Sequence, residues 1–295
     1  AMPPRFLWSC ALVLVTAIWG WSFVAKHQLL ASLPASALNA WMFCLAAAAL
    51  LPFAVGSLRG FKRRDWLGAV LAGTVLFAAF ALQTSGVAQT TPSNAGFITG
   101  LCTVFTPLIL FLLGRGRPRF RQASGLAIAL VGLGLLSLDG FALHPGDLLM
   151  LGCAVAFALH IVVVATFTSA AAAMASAFVQ LLLVGLLSLC WSAVNHELAW
   201  PPSVPIAVNL LVLAVLATAL AYAIQIRAQA VLAPQRVALI LICEPIFSGV
   251  FGYLLAGDRL PAEKLAGALL ILMGIAISEI HWGKRAPPAP FQAAP

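Results

Sequence analysis

The chain of 295 residues is 63% hydrophobic and 8% charged, with sixteen Lys and Arg against eight Asp and Glu. Folded domains in water carry about 45–50% apolar and about 25% charged residues, so this composition excludes a soluble enzyme, a disordered chain and a secreted disulfide scaffold. The solvent is lipid, where a spanning helix needs about 20 apolar residues, and the length of 295 residues admits ten such helices with short connections.

Apolar runs bounded by Pro, Gly or charge predict spans over 6–25, 35–55, 66–88, 92–113, 122–138, 146–166, 170–191, 206–226, 235–255 and 263–280. The first run is longer than the roughly 7–15 apolar residues of a signal peptide, so it is retained as a span and its end is placed at Lys26 and His27. The sixth and seventh spans are divided only by a small, uncharged stretch over 166–175. They are separated because one helix over both would far exceed a bilayer's thickness. Ala1 ahead of Met2 reads as an added residue, and 286–295 as a flexible Pro/Ala tail.

Cys10, Cys44, Cys102, Cys153, Cys190 and Cys243 all fall inside apolar runs, with no CxxC pair. They read as small packing residues, so no disulfide framework, metal or cofactor is expected.

Charge sets the direction. With the N-terminus inside, thirteen basic residues face the cytoplasm: Arg5, the Arg59–Arg64 group, the four arginines over 115–121, Arg227, Arg236, Lys284 and Arg285. Only Lys26, Arg259 and Lys264 fall on the other side. Retention of positive charge inside therefore predicts that both termini are cytoplasmic. It also accounts for the basic balance without nucleic acid, leaving the loops as contacts for anionic lipid.

The chain repeats itself. Ala81-Leu82-Gln83 returns as Ala223-Ile224-Gln225, Thr91-Pro92 as Ala233-Pro234, and Gly125 with Gly132 as Gly267 with Gly274, each 142 residues on. Thr106-Pro107 matches Glu244-Pro245 at 138. Five helices per half is an odd number, so the second half enters the membrane from the opposite side. The expected fold is all-α and integral to the membrane, with ten transmembrane helices as two inverted-topology five-helix repeats over 1–140 and 141–285. Such repeats build transporters whose site lies near the midplane between the halves.

Trp19-Gly20-Trp21-Ser22-Phe23 in the first span resembles the WG-x-[SN]-F signature of the drug/metabolite transporter superfamily, EamA type. Gly146-Asp147-Leu148, Gln180, Glu244-Pro245 and the Gly267/Gly274 pair are similar to that family's second half. Met42-Phe43 departs from the Arg-Phe that many members carry, so no role of that arginine transfers. Within the superfamily the chain most resembles aromatic amino-acid exporters, a likeness of the whole chain rather than of a motif.

Several polar residues fall where lipid would penalise them. Glu244 lies near mid-span, where a charge costs roughly 2.5–3.5 kcal/mol on insertion scales. It must face a cavity, find a partner or be protonated, and with Pro245 it either contacts solute or serves as a packing and kink device. Gln83 and Gln225 occupy matching positions and either line a central cavity or bond between helices. Trp19, Phe80 and Tyr222 offer aromatic walls, the alternative for Phe80 being plain packing. His160 is a donor or proton carrier, or a histidine satisfied by a neighbouring helix. Asn94 and Thr99 complete the substrate-binding set, Pro107 and Pro245 are hinge candidates, and Arg236 reads as a topology charge.

Absent motifs narrow the function. No GxxxxGK[ST] loop encodes an ATP-driven pump, and no HExxH or GxSxG supports an intramembrane hydrolase. No Lys or Arg is expected deep in a span, which argues against phosphate-bearing solutes. The expected function is export of amino acids, bulky apolar ones included, by alternating access across a bacterial inner membrane. The alternative is export of drugs or other lipophilic metabolites, while a membrane-embedded enzyme or receptor lacks any constellation here. The expected partners are the solute and membrane lipids, with no nucleic acid. A monomer is compatible with the sequence, which specifies no oligomer.

Overall fold

The computed structural model describes residues 4–114, 119–139, 142–168, 172–232, 237 and 240–279. Ala233, Pro234, Arg236 and the 286–295 tail lie outside them. Ten helical segments run in order among the described residues. The first half holds α1 (Pro4–Leu30), α2 (Ala35–Leu58), α3 (Arg63–Val87), α4 (Pro92–Leu112) and α5 (Phe120–Ser137). The second holds α6 (Pro145–Phe167), α7 (Ala173–Val194), α8 (204–231), α9 (Cys243–Ala256) and α10 (Ala262–Glu279). A two-residue antiparallel pair, Leu138–Asp139 with Ala142–Leu143, connects the halves without altering the all-α class.

Local chemistry sets the ends. Thr91 caps α4 by accepting from the Asn94 amide at 3.2 Å, with Pro92 in the first turn, where its missing N–H costs nothing. Asp65 accepts from the Lys62 amide at 2.9 Å and starts α3. Gly257, at φ 74°, ends α9 in the left-handed conformation that favours glycine. Helices α1 to α8 are each long and apolar enough to cross a membrane. Leu67, Leu112, Val131 and Leu254 point outward, a surface that only lipid would solvate.

Two helices are broken at matching places. α4 divides at Leu101 into Pro92–Gly100 and Cys102–Leu112, and a turn at Ile242 opens the Cys243–Phe251 segment of α9. α8 widens to π-helix over Leu213–Leu220 between Val204–Val212 and Ala221–Val231.

Packing between the halves follows a two-fold pattern. α3 packs on α6 as α8 does on α1, α1 on α9 as α6 does on α4, and α2 on α8 as α7 does on α3. The pairs α2 with α7, α4 with α9 and α5 with α10 pack on their own symmetry mates. The repeat glycines fix the register of the last pair. A Cβ on Gly125 would lie 2.5 Å from the Gly274 carbonyl oxygen, and one on Gly274 2.5 Å from that of Gly125. Gly132 and Gly267 are reciprocal in the same way, at 2.6 and 2.7 Å. Without side chains at these points the backbones approach closely, the usual source of helix association in lipid. These relations make the molecule two inverted-topology five-helix repeats.

One expected boundary is overturned. Charge at Lys26 and His27 predicts the end of the first span, yet α1 continues to Leu30 and Lys26 is 5% exposed. The ammonium finds a partner inside the protein, so it does not need the interface.

Candidate functional site

A cavity of about 810 Å³ lies between the halves, lined by α1, α2, α3 and α4 from one and by α6 to α10 from the other. It reaches Phe53 and Ser57 near the end of α2, and Ala165, Thr168 and Ala173 where α6 gives way to α7. It therefore approaches the end of the molecule that carries the Arg59–Arg64 loop.

Helical periodicity aims the lining. Trp19, Ser22, Phe23 and Lys26 stand at i, i+3, i+4 and i+7 on α1 and all face the cavity. Phe157, His160, Ile161 and Val164 repeat that spacing on α6. The Trp19 indole N–H donates to the Ala217 carbonyl at 2.8 Å, a carbonyl in the π-helical part of α8. Its ring meets Tyr222 edge-on with centroids 6.0 Å apart. Phe80 is flanked by Phe43 at 4.5 Å and Phe157 at 5.2 Å, both edge-to-face. The walls thus combine interlocked aromatic rings with polar side chains at several points.

Those polar groups are specific. Lys26 Nζ donates to Gln83 Oε1 at 2.6 Å and lies 5.0 Å from the Phe80 ring centroid and 5.8 Å from that of Phe23. Glu244 falls in the first turn of Cys243–Phe251. A helix N-terminus carries partial positive charge and unpaired N–H groups that favour a carboxylate, so the break at Ile242 makes a mid-span acid tolerable. Pro245 sits in the same first turn, where proline is accommodated. On the opposite flank the Gln180 amide donates to Ser176 Oγ at 2.9 Å, leaving its Oε1 to accept from His160 Nε2 at 2.7 Å.

Trp19, Phe80, Gln83, Thr99, His160, Tyr222, Gln225, Glu244 and Pro245 are brought together on this one cavity. The Thr99 hydroxyl donates to the Ala95 carbonyl of its own helix at 2.8 Å, leaving only its acceptor capacity. Asn94 and Pro107 are not in the lining. Asn94 is buried elsewhere, its Nδ2 donating to Asp147 Oδ2 at 3.3 Å. Lys26 is the main residue that the sequence reading missed. Its spacing from Trp19 was the available signal, and its presence removes the premise on which phosphate-bearing solutes were disfavoured.

The far end, where α1 and α3 finish and α2 and α4 begin, is clasped shut. Three carboxylates of the second half take donors from the first. Asp147 accepts from Thr90 and Asn94, Asp258 from the Ser93 amide and hydroxyl at 3.0 and 2.6 Å, and Glu197 from the Ser36 hydroxyl at 2.5 Å. The Trp41 indole adds a bond to the Ala199 carbonyl at 2.9 Å and packs on Trp200.

Known proteins share this organisation. The model of the EamA-like transporter family matches residues 6–138 and again 144–279. An uncharacterized transporter of Archaeoglobus fulgidus is 31% identical over 271 residues, spanning 92% of this chain and 85% of the relative. A protein crystal structure at 18% identity superposes with a TM-score of 0.64, covering 94% of this chain and 98% of that one, a likeness of fold.

Proposed function

The chain belongs to the EamA-like transporter family, and from that premise we propose that it exports amino acids, bulky apolar ones included, by alternating access of the central cavity. The observation that carries the reading is the composition of that cavity: aromatic walls from Trp19, Phe80, Phe157 and Tyr222, with a carboxylate at Glu244 in the first turn of a helix. A zwitterion with an apolar side chain matches both parts, since the carboxylate suits an ammonium and the rings suit the side chain. About 810 Å³ is room for such a solute with water around it.

Direction follows from charge. The cavity approaches the end with the Arg59–Arg64 loop, which the positive-inside rule assigns to the cytoplasm. In this reading the protein sits in a bacterial inner membrane with both termini inside and takes up solute from the cytoplasm. The segments over 1–140 and 141–285 then rock against each other about the bound solute.

Counterflow in proteoliposomes with a panel of twenty amino acids tests the reading. Saturable exchange of a bulky apolar amino acid supports it. Saturation by lipophilic drugs with no response to any amino acid would transfer the assignment to drug export, which the aromatic walls would also serve.

A further inference from the structure

The buried lysine has no part in the assignment above, and its geometry defines the solute more narrowly. We propose that Lys26 anchors the solute's carboxylate, with Gln83 holding its place in the empty cavity, so that only solutes bearing a free carboxylate are carried. This rests on the reading of the cavity as the transport site.

Lys26 lies one turn from the end of α1, at the floor of the cavity, and Gln83 lies one turn from the end of α3 beside it. An ammonium has three donors. Among the described residues its hydrogen-bond partner is one amide oxygen, Gln83 Oε1 at 2.6 Å, and the rings of Phe23 and Phe80 flank it. A neutral amide is a weaker acceptor for an ammonium than a carboxylate is. A charge held 95% out of solvent is therefore left with a replaceable partner at the point where solute would arrive.

The opposite charge stands on another wall. Glu244 lines the same cavity from α9. One cation and one anion in one cavity fit a group with both signs. A phosphate monoester, doubly charged, would gain one point charge from Lys26 and meet repulsion from Glu244. No Arg lines the cavity among the described residues to supply a bidentate fork. Carboxylate is the anion that this arrangement favours.

The test is direct binding to the purified full chain by calorimetry, using phenylalanine, phenylalaninamide, 2-phenylethylamine and 3-phenylpropionate. Phenylalanine and 3-phenylpropionate should bind, while the amide and the amine should be weaker by roughly 10- to 100-fold. Lys26→Met should abolish that preference and Lys26→Arg should retain most of it. If Lys26→Met fails to fold, the four-ligand series on the unaltered protein still decides. Binding of 3-phenylpropionate but not phenylalanine, dependent on Lys26, would uphold the anchor and overturn the amino-acid reading. Amide or amine binding as tightly as acid, or an unchanged preference in Lys26→Met, would overturn the anchor. Failure of both acids to bind would overturn both proposals.

Discussion

Glu244 and Trp19 show how a single side chain is made tolerable in lipid and then useful. Glu244 lies in the first turn of the helix that begins at Cys243, where the partial positive charge of a helix N-terminus favours a carboxylate. Glu244→Gln keeps the shape and removes the charge. The apparent affinity for phenylalanine should then fall roughly tenfold, as for loss of one charged hydrogen bond, while that for 3-phenylpropionate, an anion without the ammonium, should not fall and should rise where repulsion is relieved. Equal losses for both ligands would assign Glu244 to packing alone. Trp19 is fixed at two points, by its bond to Ala217 and by the Tyr222 ring. Trp19→Phe leaves the Ala217 carbonyl without that donor. Thermal unfolding in detergent should register about 1–3 kcal/mol of destabilisation, and an unchanged midpoint would show that carbonyl to be satisfied otherwise.

At the scale of elements, the seam between α5 and α10 is set by glycine. A Cβ on Gly132 would lie 2.6 Å from the backbone oxygen of Gly267, whereas one on Gly56 meets nothing within 4 Å. Gly132→Ala must push two helices apart and should cost about 1–3 kcal/mol, read as a lowered unfolding midpoint. Gly56→Ala should be neutral or slightly stabilising, by up to about 1 kcal/mol, and comparable losses in both would refute the seam. The glycines of this seam were legible in the sequence as repeat pairs at one offset, though not as a contact, and most spans were legible as apolar runs. Lys26 was not, because a hydropathy reading treats charge as a boundary and cannot see Gln83 waiting 57 residues away. Nor were the far-end clasps, whose partners are separated by 53 to 165 residues. Asn94 illustrates the limit: its polarity placed it in the substrate-binding set, whereas in the fold it donates to Asp147 and is not in the cavity lining. The breaks at Leu101 and Ile242 were half-visible through Pro107 and Pro245, with the turn falling some residues before each proline.

For the whole molecule, charge and symmetry combine. The Arg59–Arg64 loop lies at the end that the cavity approaches, while Asp147, Glu197 and Asp258 gather at the clasped end. A single cysteine placed at Ser57 should resist an impermeant thiol reagent applied outside intact cells, and modification from outside would reverse the topology. The clasps join hydroxyls of one half to carboxylates of the other, bonds that water can replace when the halves part, so they can close one entrance without locking it. In the proposed alternating access of two inverted repeats, opening at one end accompanies closure at the other. The most direct measurement is a pair of electron-spin distances in a cysteine-free background, Ser32 to Leu198 at the clasped end and Ser57 to Ala165 at the other, with and without a transported amino acid. Solute should lengthen the first distance in part of the population and shorten the second in that same part; distances that stay fixed during active exchange, or that change in the same direction, would contradict alternating access around this cavity.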